Sequence, residues 1–306
     1  MHPRFLSNHL CLPIPCTVSL SAVSSFALPD LNPLHSAGRR VQLSAFLLSS
    51  CLLGGLLWSS ASLADTGDGA APDPNAITLA LGAGIERLPS FPGAKSHRNE
   101  PIPYVDFEWP DHVSLSTLDG LQVDVIGGNV LHGGFFGDYQ WGRDTEDLSP
   151  RLREKLNPLS PRLSTGGYLE WQLTKQFDVG TNLSHDINGA GAYLNVYAEW
   201  DLPKVWLIEH SLQVRWQAMN GPAMSRFFGV TPIQASELDV PSWRPGSGSQ
   251  LADLEYDVFV PTSQHTGVAL ALTYGRLLGN AADSPLATRF GSATQISEAL
   301  AFVYHW

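Results

Sequence analysis

The chain has 306 residues, a formal net charge of −11, 43% hydrophobic residues, 10% aromatics and only 15% charged side chains. Soluble domains carry charges at about 25%, so this chain is charge-poor, and its acidic balance argues against nucleic acid or an anionic ligand as partner. A mean hydropathy of −0.03 does not announce a membrane protein, yet it leaves room for a barrel, whose strands are apolar on one face only.

The beginning reads as an export signal. Arg39 and Arg40 precede an apolar run over 41–58, and Ser59, Ser60, Ala61, Ser62, Leu63 and Ala64 follow. Positive charge, apolar core and small residues in that order make a secretory signal peptide, with cleavage expected between Ala64 and Asp65. An uncleaved anchor is the weaker reading, because the run is at the lower limit for spanning. A lipoprotein site at Cys51 is disfavoured, since apolar residues continue after it. Cys11, Cys16 and Cys51 are the only cysteines, all in this leader. A cysteine-free remainder fits an exported protein. Residues 1–38 are rich in Pro and Ser and precede a complete signal, so 1–64 stands apart from the fold. Beyond it lie 15 basic and 28 acidic residues, net −13. Residues 65–76, rich in Asp, Gly, Ala and Pro, form a flexible lead-in.

From 77 to 306 the chain alternates. Ile77, Leu79, Leu81, Ala83 and Ile85 share one face, as do Val105, Phe107 and Trp109. Two short segments, 113–118 and 121–126, flank Asp119 and Gly120. Phe135, Gly137, Tyr139 and Trp141 follow, then Leu169, Trp171 and Leu173, then Phe177, Val179, Thr181 and Leu183. Leu194, Val196, Ala198 and Trp200 oppose Tyr193, Asn195, Tyr197 and Glu199. Trp206, Ile208, Leu212, Val214 and Trp216 oppose Glu209, Ser211, Gln213, Arg215 and Gln217. Leu254, Tyr256, Val258 and Val260 oppose Asp253, Glu255 and Asp257, and Val268, Leu270, Leu272 and Tyr274 oppose small residues. The last segment carries Leu300, Phe302, Tyr304 and Trp306 on one face and ends the chain. An apolar terminal strand needs a partner to tie it down, and pairing with the first strand would remove both edges. A terminal aromatic strand is also the feature read by the barrel assembly machinery of Gram-negative bacteria.

These segments predict an all-β fold: a single closed antiparallel transmembrane β-barrel of about 12 strands over 77–306, with 10 as the alternative. The connections sort by length. Those at one end are 86–100, 119–120, 143–162, 187–190, 218–250 and 278–293, mostly long. Those at the other, near 110–111, 127–129, 174–176, 202–204 and 262–264, are all short. Outer-membrane barrels have short periplasmic turns and long outer loops. The expected partner is outer-membrane lipid and the expected location the Gram-negative outer membrane. No helical amphipathic run of useful length is evident.

Three stretches resemble one family. Arg276, Leu277, Leu278, Gly279, Asn280, Ala281, Ala282, Asp283, Ser284 and Pro285, then Gly291, Ser292 and Gln295, resemble the C-terminal signature of the MipA/OmpV family. Phe227, Phe228, Gly229 and Val230, with Gln234 and Ala235, are similar to its loop before the last three strands, and Trp141, Gly142, Arg143 and Asp144 to a mid-chain strand end. The resemblance implies an outer-membrane scaffold that brings together a membrane-bound lytic transglycosylase and a bifunctional penicillin-binding protein. It brings no catalytic residues and no cofactor.

The residues themselves point the same way on chemistry. His112, Val113 and Ser114 form the single His-x-Ser, and Asp111-His112 and His185-Asp186 are adjacent pairs. Neighbours in a strand point to opposite faces, so neither pair makes a site, and no enzyme is expected. Asp253, Glu255 and Asp257 are two apart, almost 7 Å at Cα, which suits a polar lumen wall better than a metal site; none is expected. Glu209, Arg215, Asp253, Glu255 and Asp257 are the candidate lumen residues. An acidic lumen favours cations if it is open, so a small cation-favouring channel is the rival to a scaffold. Phe227, Phe228 and Trp243 in loop 218–250 offer either a contact surface or packing over the barrel mouth.

Overall fold

A computed structural model describes residues 76–117, 120–128, 130–140 and 142–306. The expected cleavage site at Ala64 and Asp65, the three cysteines, Trp141 and most of the lead-in lie outside the described residues.

Twelve strands form one closed antiparallel barrel, each paired with its neighbours in sequence and the last with the first. They are β1 (Thr78–Pro89), β2 (His97–Trp109), β3 (Val113–Ser116), β4 (Gly120–Ile126), β5 (Leu131–Gln140), β6 (Arg162–Thr174), β7 (Phe177–Asp186), β8 (Ala192–Asp201), β9 (Glu209–Met219), β10 (Gly248–Pro261), β11 (Thr266–Leu277) and β12 (Thr294–His305). Closure runs from Ala80 opposite His305 to Arg87 opposite Glu298, and the Trp306 amide donates to the Leu79 carbonyl at 3.2 Å. The terminal strand is thereby satisfied on both sides, which is why the chain can end on its aromatic residues.

Alternation explains the wall. Leu81, Ile85, Leu121, Phe135, Leu169, Trp171, Leu183, Val214, Leu300 and Phe302 all stand exposed on the outside. In water such a belt would be an aggregation surface. Around a barrel in lipid it is the solvated face. β4 starts at Gly120, at φ +79°, where a Cβ would meet the Gly137 carbonyl oxygen at 2.2 Å.

Strand ends define two unlike rims. At the turn end, where the described chain starts and stops, the connections are 110–112, 127–130, 175–176, 202–208 and 262–265. At the other, the cap end, they include 141–161, 220–247 and 278–293. The 202–208 turn corrects an expectation. Trp206 and Ile208 do not begin a strand; Val205 and Ile208 bridge each other, and Trp206 sits at φ 58° and 85% exposed. The cap end also carries short helices. The long connections fold into five short α-helices: α1 (Pro150–Arg153), α2 (Gly221–Phe228), α3 (Pro232–Leu238), α4 (Gly279–Ala282) and α5 (Pro285–Phe290). One or two turns are too few for an amphipathic period to be read.

Candidate functional site

The polar lumen below the cap holds four of the five residues singled out in the sequence for the interior. The cap is built first from helix starts. Asn220 begins α2, its Oδ1 accepting from the Ala223 amide at 3.0 Å, with Pro222 in the first turn. Thr231 begins α3 as a reciprocal box with Gln234, followed by Pro232. Ser284 begins α5, accepting from the Leu286 amide at 3.2 Å, followed by Pro285. Each is an N-cap with Pro just inside the helix, which is a readable start signal. These starts were missed because no periodic run follows them.

The helices turn apolar side chains down into the mouth. Met219, Met224, Phe227, Phe228, Leu251 and Leu277 form one buried cluster, with Ala223, Ala281 and Ala287. Phe91, Leu148, Leu152, Leu156, Val230 and Leu238 form a second, joined by Ala94, Ala235 and Leu286. Phe227 and Phe228 are therefore packing residues, not a contact surface, and Trp243 is part of the same lid, its Nε1 donating to the Asn280 carbonyl at 3.1 Å.

Polar ties lock the loops to one another. Ser284, fully buried, donates its hydroxyl to the Phe228 carbonyl at 2.7 Å. Gln295 accepts from the Gly93 amide at 2.9 Å and donates to the Ser292 carbonyl at 2.8 Å. Lys155 donates to the Glu237 carbonyl at 2.7 Å, and Arg98 pairs with Asp147. Arg143 lies over the Phe91 ring at 5.4 Å, and burial pushes its guanidinium down to about 10. The signature stretch 276–285 thus has a structural role. Leu277, Ala281 and Ser284 lie inside the lid, Ala282 packs against it, and the Leu278 amide donates to the Gln250 carbonyl at 2.8 Å. Arg276 and Asp283 stay exposed.

Below the lid the inward rows are acidic. Arg215 on β9, 1% exposed, donates from Nε to Asp253 at 3.0 Å and from Nη2 to Glu255 at 3.2 Å. The Thr273 hydroxyl donates to the same Glu255 oxygen at 3.0 Å. Asp257 follows on β10, buried. Of the five candidate lumen residues, these four come together; Glu209 stays at the turn-end rim, paired with Lys204. Inward tyrosines serve the other carboxylates: Tyr197 donates to Glu170 at 3.0 Å, Tyr193 to Asp186 at 3.0 Å, and Tyr168 to Asp124. At the turn end, Ala80, Phe259 and Val303 make a small apolar patch on one side of the bore, with Tyr104, Ala269 and Ala301.

The histidine pairs do not converge on a nucleophile. His112 stacks on Trp109 at 4.5 Å and its Nδ1 lies 2.8 Å from the Pro110 carbonyl. His185 has its Nδ1 2.8 Å from the Asp186 carbonyl, while the Asp186 carboxylate is held by Arg162 at 2.7 Å. Among the described residues no group of three His, Cys, Asp or Glu is placed to hold a metal ion.

A family model described as MltA-interacting protein MipA matches residues 81–306. Comparison with curated proteins returns no match. Among solved structures, an outer membrane channel from Pseudomonas putida F1 is 9% identical with a TM-score of 0.39, covering 79% of this chain and 99% of that one. The NanC porin is 8% identical with a TM-score of 0.35, covering 75% and 99%. The outer membrane channel DcaP of Acinetobacter baumannii is 6% identical with a TM-score of 0.36, covering 76% and 96%.

Proposed function

This chain belongs to the MltA-interacting protein MipA family, and from that premise we propose that it is a non-enzymatic, non-conducting outer-membrane adaptor for murein-remodelling enzymes. The observation that supports the reading is the lid: two apolar clusters close the mouth, and the charged groups beneath are buried. A porin keeps a water-filled bore; a barrel whose mouth is packed like a protein interior serves as a membrane anchor. By the usual topology of outer-membrane barrels the short turns face the periplasm and the lid faces outward.

The partners are a membrane-bound lytic transglycosylase and a bifunctional penicillin-binding protein. They must be met on the periplasmic side, where the turns of 110–112, 175–176 and 262–265 offer little surface. By its length in the sequence, the lead-in 65–76 exceeds any of the turns at that end, 202–208 included, so capture of the enzymes should depend on it. The full chain, pulled down from detergent-solubilised envelope, is expected to bring both enzymes. A chain lacking 65–76 is expected to bring neither. Absence of both enzymes from both samples would end the adaptor reading. The acidic lumen supports a second reading, a small cation-favouring channel, which requires the lid to move.

A further inference from the structure

Strand register sets Ser211 of β9 opposite Asp257 of β10 on one side and Asp201 of β8 on the other. Gln213, two residues on, lies between Glu199 and Glu255, and Arg215 comes next, beside Asp253. All of these point inward. Arg215 directs Nε to Asp253 and Nη2 to Glu255, and among the described residues no side chain donates a hydrogen bond to Asp257 Oδ1. Asp257 and Glu199 form no ion pair among the described residues; Glu199 has only the Gln213 amide at 3.5 Å.

Three buried acceptors there have no hydrogen-bond partner among the described residues: Ser211 Oγ, Asp257 Oδ1 and Glu255 Oε1. Their residues are 3%, 5% and 1% exposed. Ser211 stands in the inward row, so its hydroxyl lies on the lumen side, between Asp257 and Asp201 in register. Buried acceptors without donors are costly.

We propose that this level of the lumen wall binds a protonated primary amine. A primary ammonium carries one positive charge and three N–H donors, which matches three unpartnered acceptors in a carboxylate-rich wall. A chelated metal fits less well, since no three carboxylates converge. A quaternary ammonium has the charge without the donors. Glu209 marks the turn-end rim, its side chain 21% exposed; the lid closes the other end. The proposal is independent of the adaptor role.

Calorimetric titration of the mature barrel in neutral detergent with 1,4-diaminobutane, at neutral pH and low salt, tests it. Saturable one-site binding is expected. Asp257→Asn is expected to weaken it by about tenfold or more, and Ser211→Ala by about threefold, the scale of a lost charge-assisted and a lost neutral hydrogen bond. Glu298→Gln, on the outer face of β12, should bind as the natural chain does. Tetramethylammonium and sodium should not compete. No binding heat, equal competition by either ion, or unweakened binding by Asp257→Asn would each overturn the proposal. Should Asp257→Asn fail to give the folded band on an unheated gel, Ser211→Ala carries the test.

Discussion

A barrel in which residues 221–246 are replaced by a short Gly-Ser turn should conduct ions, whereas the full chain should give silent planar bilayers. Met219 and Gly248 are paired in register on β9 and β10, so the two strands can be joined directly and the wall left intact. The deletion removes α2 and α3. With them go Met224, Phe227 and Phe228 from one apolar cluster and Val230, Ala235 and Leu238 from the other. Ser284 also loses the Phe228 carbonyl that it bonds. What remains above the lumen is too little to exclude water. Discrete steps favouring cations are expected, because the exposed wall is acidic. Equal conductance by the full chain would refute the closed lumen and favour the channel reading.

The second large effect concerns the buried cation. Arg215→Met removes the one positive charge set between Asp253 and Glu255. Two carboxylates that are nearly inaccessible to solvent then lose their partner. Breaking a buried pair from one side costs about 3–5 kcal/mol, because the remaining charge stays buried and unpaired. The loss should appear as a lower urea midpoint for the barrel in detergent or vesicles. Adding Asp253→Asn and Glu255→Gln to Arg215→Met should recover most of it, since the triple variant buries no stranded charge at that level. A variant with Arg215→Met alone that unfolds at the natural midpoint would show that water screens the lumen there.

The barrel was legible because lipid outside and polar groups inside impose a period of two. Leu300, Phe302, Tyr304 and Trp306 show it as far as the chain end, and the inward row of Ser211, Gln213 and Arg215 shows its polar counterpart. The strands run longer than that pattern. Residues 97–101 of β2, His97 to Pro101, carry polar side chains on both faces, so no apolar alternation marks them, and at 162–164 of β6 only Leu163 is apolar, too little to read. At Trp206 and Ile208 the reverse holds: apolar residues continued the rhythm into an exposed turn. The lid was illegible as helix because its pieces are of one or two turns, although Asn220, Thr231 and Ser284, each followed closely by Pro, mark three of the starts. Which acceptors lack donors in the lumen depends on register across strands far apart in sequence, and no local pattern carries that.

In the proposed topology the barrel crosses the outer membrane with its lid outside and its short turns in the periplasm. No cysteine occurs after Cys51, so single cysteines can be placed at Asp239, in the lid, and at Ser263, in the turn between β10 and β11. A membrane-impermeant maleimide should label the lid position in intact cells, and the turn position only after the outer membrane is breached. Labelling of the turn in intact cells, or of neither position until the membrane is opened, would contradict the account.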